Sequence, residues 1–145
     1  MSVAALTVAA LALLPPRLPE KPEDARFVVV VNAANPEASA DVESLSAVFL
    51  GQRKKWANGE RILPVDHSVV SPIRGAFVTA VFGQQASAIQ AYWEGEVLAG
   101  RDPPPPVRGS DDEVLDFVAK NAGAIGYVDR AAKLPPKVKV LRFVR

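Results

Sequence analysis

The segment from Asp66 to Arg74 holds the residues best suited to bind a small anion. Ser71 is a residue type that commonly caps helices, and Pro72 suits the first helical position. The first N–H groups of a helix attract anions because they have no partner within the helix and the helix dipole is positive there. Arg74 falls in this first turn, where acids are preferred, and an anion opposite it would explain the cation. The alternative is that Arg74 points into water.

Asp66, His67, Ser68 and Ser71 are residue types found in hydrolases, but their spacing argues against catalysis. Neighbouring residues on an extended strand point to opposite faces, so Asp66 cannot readily orient His67 towards Ser68. The sequence has no G-x-S-x-G elbow and no P-loop. We therefore expect a protein that is not an enzyme.

Composition places the chain among ordinary globular proteins. It has 145 residues, of which 49% are hydrophobic and 23% charged, enough for one domain with a sizeable core. Lys plus Arg number 17 against 16 Asp plus Glu, which gives no argument for nucleic acid as a partner. The absence of cysteine excludes disulfides and thiolate sites, and the single histidine argues against a His-rich zinc site. We expect no cofactor and no metal.

Residues 1–26 are predicted to be a signal peptide followed by a tether. About a dozen small apolar residues up to Leu14 match the apolar region of a signal peptide and are too few to span a bilayer. A proline-rich stretch follows, although no Lys or Arg precedes Arg17. The alternative is a docked N-terminal helix. The pattern predicts a periplasmic or secreted protein with no stable membrane span, whose folded domain covers residues 27–145.

Strands and helices alternate along that domain. The apolar run 27–31 indicates a strand buried on both faces, as in an α/β sheet. Further strands are predicted at 61–66, 123–128 and 138–144, and Pro64 predicts a short or edge strand. Helices are predicted after four capping signals, which are Ser39 or Asp41, Ser71, Ser87 with Gln90, and Ser110 with Glu113. The acidic residues 111–113 are explained by helix capping without a metal.

A basic and aromatic segment follows the first predicted helix. Arg53, Lys54, Lys55 and Trp56 form this segment, and four consecutive prolines occupy residues 103–106. A solvated basic patch is the default interpretation of such a run. These residues are also the candidate surface for a protein partner.

Five motifs in this order resemble the phosphate-binding proteins of ABC transporters, which belong to the type II periplasmic-binding-protein superfamily. The motifs are VVVVN at 28–32, LSAVFLG at 45–51, WANG at 56–59, SPIRGAF at 71–77 and GAIGYV at 123–128. The chain is most similar to the short branch of the family, and the resemblance covers about residues 27–130.

The resemblance implies a three-layer αβα fold with helices on both faces of a mixed sheet, as a single lobe-like domain. It implies a solute-binding protein that recognises phosphate or a related oxyanion, with an ABC transporter or envelope protein as partner. Relatives carry Arg four residues before a Ser-Gly-Thr at a helix start. Here Ser71 matches the serine, Pro72 and Ile73 replace the other two, and His67 replaces the arginine.

The implied anion site is therefore Ser71, Arg74 and His67, with weak binding because donors are lost at three positions. The alternative function is a module of the same fold that has lost anion binding and engages a protein partner.

Overall fold

Strand β1, Phe27–Asn32, lies at the centre of the sheet on which the fold is built. The computed structural model describes residues 25–83 and 86–144. Most of the predicted signal peptide and tether lies outside these residues, so the domain boundary at 26/27 stays a prediction. Within the described residues, no helix is long and apolar enough to cross a membrane.

The main sheet has five strands in the order β2-β7-β1-β6-β3. β1 pairs antiparallel with β6 (Ala124–Asp129) and with β7 (Val138–Val144). The outer strands are parallel to their neighbours, β2 (Ser39–Asp41) to β7 and β3 (Leu63–Pro64) to β6. The sheet is thus mixed, with its longest strands in the middle and its shortest at the edges.

Helices cover both faces of this sheet. Helices α1 (Val42–Phe49) and α2 (Pro72–Phe82) pack on one face, and α4 (Asp111–Lys120) packs on the other. Alternate residues of β1 enter the two cores, Val29 on the α1 and α2 side and Val30 on the α4 side. The predicted three-layer αβα fold is therefore confirmed.

The ends of α1 and α4 follow the capping signals in the sequence. The Asp41 carboxylate accepts the N–H of Ser44 at 2.7 Å, and this bond lowers the pKa of Asp41. The Ser110 hydroxyl accepts the N–H of Glu113 at 3.2 Å. The Glu113 side chain reaches back to the N–H of Gly109 at 2.7 Å, one residue before the cap. The bonds to Asp41 and Ser110 satisfy donors that every helix start leaves open, and the bond to Gly109 holds the residue that precedes the cap.

The single strand predicted at 61–66 is wrong, because the chain changes sheets within it. β3 ends at Pro64, on the edge of the main sheet as predicted for a proline. Val65 is fully buried, and its N–H still bonds the carbonyl of Ile125 at 2.9 Å. Beyond it, β4 (Asp66–His67) pairs parallel with β5 (Val107–Arg108) in a second, two-stranded sheet. This switch carries Asp66 away from the main sheet.

Helix α3, Ala86–Leu98, does not begin at its predicted capping signal. Ser87 lies inside the helix and is not its N-cap, and the Gln90 side chain bonds Glu94 at 3.2 Å. Val97 lies four residues after Trp93 and eight after Ile89, a spacing typical of one buried helix face, yet it is 54% exposed. Val97 lies on the same face of α3 as Ile89 and Trp93, but the helix extends beyond the protein surface that this face covers.

α3 is attached to the rest of the protein through its middle. Ile89 is buried, and the Tyr92 hydroxyl donates to the carbonyl of Leu50 at 2.8 Å. Trp93 packs against Gly51, which has a positive φ of 70°. A side chain at Gly51 would place its Cβ 3.3 Å from the Trp93 ring, so glycine suits this position for both reasons.

Candidate functional site

The Asp66 carboxylate is the centre of a polar cluster beside the sheet. Its Oδ1 accepts the main-chain N–H of His67 at 2.8 Å and the hydroxyl of Tyr127. Its Oδ2 accepts Nε of Arg74 at 3.4 Å. The three donors belong to β4, β6 and α2, so one carboxylate links three elements of the fold.

Arg74 is buried, which excludes the interpretation that it points into water. Only 8% of its side chain is exposed. Asp66 offsets the charge, as a buried guanidinium requires. Nη1 of Arg74 is buried and has no hydrogen-bond partner among the described residues. The first turn of α2 therefore contains an unsatisfied, positively charged donor.

Ser71 occupies the N-cap position of α2, as predicted, but its hydroxyl makes no capping bond. Its backbone is extended, with φ −71° and ψ 127°, and its carbonyl accepts the N–H of Gly75 at 3.3 Å. Pro72 follows at the first helical position and has no N–H to cap. Ser71 is half-buried at the helix start, next to main-chain donors that an α-helix leaves open.

The His67 imidazole faces β6 and the start of α4. The residue is 3% exposed, and Nε2 lies 2.7 Å from the carbonyl oxygen of Tyr127. A carbonyl oxygen only accepts hydrogen bonds, so Nε2 carries a hydrogen. The same nitrogen lies 3.4 Å from Oδ1 of Asp111. His67 thus reaches the polar cluster through its main-chain N–H, while its ring holds β6 and α4.

Tyr127 is a residue of this cluster that the sequence did not single out. Its ring is fully buried and stacks on Phe77, with 3.9 Å between centroids and 3° between planes. Burial, followed by the nearby charge of Asp66, raises the pKa of Tyr127 well above its usual range. The hydroxyl stays protonated and donates to Asp66. A buried tyrosine hydroxyl requires a hydrogen-bond partner. The presence of a tyrosine in an otherwise apolar strand was therefore the only feature of the sequence that indicated this contact.

The contacts of Asp66 differ from those of a catalytic triad. Its carboxylate meets the main-chain N–H of His67, whereas a triad acid holds the imidazole ring. The Ser68 hydroxyl lies 3.5 Å from the N–H of Val70. Across residues 25–83 and 86–144, no group of three or more His, Asp or Glu side chains is arranged to hold a metal ion.

The second surface singled out by the sequence is a cleft of about 420 Å³. Its lining includes the predicted basic residues and prolines, namely Arg53, Lys54, Lys55 and residues 103–106. Trp56 does not belong to this surface, because it is 4% exposed and its Nε1 donates to the carbonyl of Gly123 at 2.9 Å. The expectation that Trp56 contacts a partner is wrong.

Comparison with known proteins places the chain by its fold. No family model matches the sequence, and no curated protein matches it. Among solved structures, an ABC-type phosphate transport receptor from Vibrio cholerae is similar, with a TM-score of 0.65 and 21% identity over 81% of this chain. PstS from Borrelia burgdorferi has a TM-score of 0.65 and 13% identity, also over 81%. A candidate phosphate ABC transporter substrate-binding protein from Clostridium perfringens, solved with bound phosphate, has a TM-score of 0.64 and 16% identity over the same share.

The chain spans less than half of these structures. It covers 45% of the Vibrio receptor, 47% of the Borrelia protein and 44% of the Clostridium protein. At such identities the likeness is one of fold, and the chain shares the fold of part of each of these structures. These similar structures are named as receptors and binding proteins rather than as enzymes.

Proposed function

We propose that this protein binds phosphate or a related oxyanion weakly at the N-terminus of α2. The observation that carries the proposal is the buried Nη1 of Arg74, a charged donor without a partner among the described residues. An oxyanion supplies the acceptor that this donor lacks. The names of the similar structures, which refer to phosphate, support the choice of anion.

Ser71 and the first turn of α2 provide the remaining donors in this proposal. The Ser71 hydroxyl is free of a capping bond. The N–H groups of Ile73 and Arg74 lie in the first turn, where helices bind anions. His67 contributes through its main-chain N–H, which holds the Asp66 carboxylate beside Arg74.

Three features of the site make the expected affinity low. Asp66 already neutralises much of the Arg74 charge. Pro72 has no N–H to donate, and Ile73 has no hydroxyl. Each missing charge-assisted bond costs about 1.5–3 kcal/mol, so a dissociation constant in the millimolar range is expected.

Isothermal titration with phosphate and with sulfate, in a buffer free of both, tests this function. Ser71→Ala should weaken binding by about 0.5–1.5 kcal/mol, and Arg74→Ala by about 1–3 kcal/mol. Arg74→Lys keeps the charge but loses the planar guanidinium fork, so it should also bind less well. Lys120→Ala is the control, because Lys120 is 71% exposed on α4 and its loss removes the same charge.

The absence of heat with both anions at millimolar concentration would overturn the proposal. Equal weakening by Lys120→Ala and Ser71→Ala would also contradict it, because that pattern indicates non-specific attraction. Circular dichroism of each variant shows whether a loss of binding reflects a loss of structure.

The proposal places the protein in ABC-type phosphate uptake or sensing, in the periplasm or outside the cell, without catalytic activity. Its partner would be an ABC transporter or another envelope protein. The alternative is an interaction module without anion binding, and the pairing of Arg74 with Asp66 favours it. Capture of a specific envelope protein, together with no heat from phosphate, would establish the alternative.

A further inference from the structure

The 420 Å³ cleft is separate from the Arg74 site and is built from five parts of the chain. The lining comes from the segment after α1, from β3, from α3 and α4, and from the prolines at 103–106. A volume of this size lies within the range of small-molecule pockets. The cleft is therefore large enough to hold a compact ligand.

The walls of the cleft are mainly apolar. Trp93 is half-buried against Gly51, and Ile62 and Phe117 line the cleft with the proline rings. Flat rings and proline faces contact aromatic or acyl groups over a large area without requiring hydrogen bonds. These walls suit the apolar part of a ligand.

The polar lining carries four cations and one carboxylate. Arg53 pairs with Glu37 at 2.5 Å. Lys54 pairs with Asp102 at 2.6 Å, and its hydrogen bond lowers the pKa of Asp102. Lys55 and Arg61 also line the cleft and are exposed, and neither makes a salt bridge within residues 25–83 and 86–144. The Arg61 charge acts on Asp102 from a longer distance and adds to the lowering of its pKa.

Lys55 and Arg61 are also direct partners across an antiparallel bridge. The bridge closes a tight turn in which Gly59 has a φ of 84° and Trp56 N–H bonds the carbonyl of Glu60 at 2.8 Å. Side chains of directly opposed residues lie on the same side, and like charges in this arrangement repel. An anion between them would turn this repulsion into two attractions.

We propose that the cleft binds a small amphipathic anion. The ligand would be an aromatic or acyl compound with a carboxylate, sulfonate or phosphate group. Its acidic group lies between Lys55 and Arg61, and its apolar part contacts Trp93 and the prolines. The assignment rests on two features of the cleft, which are the two cations on opposite sides of one backbone bridge and the apolar walls beside them.

Anilinonaphthalene sulfonate is a suitable probe, because it combines a flat apolar ring system with one negative charge. Fluorescence titration should show saturable binding, and calorimetry should give one probe per chain. The uncharged analogue N-phenylnaphthylamine should bind at least about tenfold more weakly, because it lacks the charge-assisted contacts.

Two double variants show whether the probe binds in the cleft or elsewhere on the surface. Lys55→Ala with Arg61→Ala should weaken probe binding about tenfold or more. Lys120→Ala with Lys133→Ala removes the same charge from exposed positions outside the cleft and should leave binding unchanged. Trp93→Ala should weaken binding of both the charged and the uncharged probe.

Several results would overturn the assignment. These are no saturable binding, equal affinity for the two probes, or equal losses in the two double variants. The Ser71→Ala variant should bind the probe as the native chain does. A failure of phosphate binding is thereby distinguished from a failure of the cleft, since each has its own ligand and variants.

Discussion

The pairing of Arg74 with Asp66 sets the chemistry of the candidate anion site. Removing a guanidinium from water costs free energy, and one ion pair of 3.4 Å with a partly exposed carboxylate offsets that cost only in part. An incoming oxyanion would compete with Asp66 for the same charge. The carboxylate thus keeps Arg74 folded into the protein while lowering its attraction for a ligand.

Asp66→Asn should therefore strengthen phosphate binding about tenfold, because the amide no longer neutralises Arg74. The same change should lower the free energy of unfolding by about 1–3 kcal/mol, since the buried cation loses its counter-charge. Calorimetry and urea unfolding measure the two effects. Asp116→Asn is the control, because Asp116 pairs with Lys120 in an exposed position on α4. Weaker phosphate binding in a folded Asp66→Asn protein would contradict this account.

Tyr127→Phe should lower the free energy of unfolding by about 1–3 kcal/mol at neutral pH, because Asp66 loses a buried donor. The variant also tests a pH effect. The pKa of Tyr127 is raised in the folded protein, so above about pH 10 the folded chain holds a proton that the unfolded chain releases. The contribution of this group to stability is complete below that pH and falls as the pH rises.

Urea unfolding midpoints between about pH 8 and 11 should therefore fall less steeply for Tyr127→Phe than for the native protein. Tyr92→Phe is the matched control, because its hydroxyl donates to a main-chain carbonyl and not to a carboxylate. Parallel slopes for the native and Tyr127→Phe proteins would show that Tyr127 does not carry the effect.

Part of this residue-level description could be predicted from the sequence. Ser71 and Arg74 share a short helix start, so local rules place them in the first turn of one helix. Tyr127 lies 61 residues from Asp66 in the chain. Their contact depends on the strand switch after Val65 and on the position of β6, which local rules do not determine.

At the scale of elements, β6 is held tightly against its neighbours by two glycines. A Cβ at Gly123 would lie 2.0 Å from the carbonyl oxygen of Arg61, which is main chain and cannot turn away. A Cβ at Gly126 would lie 2.8 Å from methyl groups of Val65 and Val114. Both positions require close approach, Gly123 to the segment just before β3 and Gly126 to Val65 and to α4.

Gly123→Ala should destabilise the protein more than Gly126→Ala, because displaced main chain relaxes less easily than valine rotamers. We expect a loss of about 3 kcal/mol or more for the first and about 1–3 kcal/mol for the second. Gly75→Ala in α2 is the control, since nothing lies within 4 Å of its Cβ and alanine favours helix. Thermal unfolding ranks the three variants. A Gly123→Ala protein as stable as Gly75→Ala would contradict the packing described.

Most elements could be predicted from caps and apolar runs. α1 and α4 begin where their capping residues indicate, and Gly83, with a φ of 62°, caps the C-terminus of α2. The division of 61–66 into two strands could not be predicted, because a continuous run gives no sign that its residues pair in different sheets. The exposed end of α3 had the spacing of a buried face, and only the extent of the neighbouring surface decides its burial.

At the scale of the whole molecule, one sheet separates two hydrophobic cores. The core beneath α1 and α2 contains the aromatic residues Phe27, Phe49, Phe77 and Tyr127. The core beneath α4 is mostly valine and leucine. The order of the motifs predicted this architecture, because four of the five motifs fall on β1, α1, α2 and β6 of the same fold. The affinity of the anion site could not be predicted in that way, because it depends on how strongly the ligand competes with Asp66 for the Arg74 guanidinium.

The attachment of α3 through Ile89, Tyr92 and Trp93 has a consequence for the cleft. A helix held mainly at its middle is a unit that can open locally at a free energy below that of global unfolding. Trp93 is one wall of the cleft, and its position changes whenever that unit moves. A ligand that contacts Trp93 and Lys55 together would link α3 to the Lys55–Arg61 bridge. Occupation of the cleft would then restrain the least firmly anchored helix of the described fold.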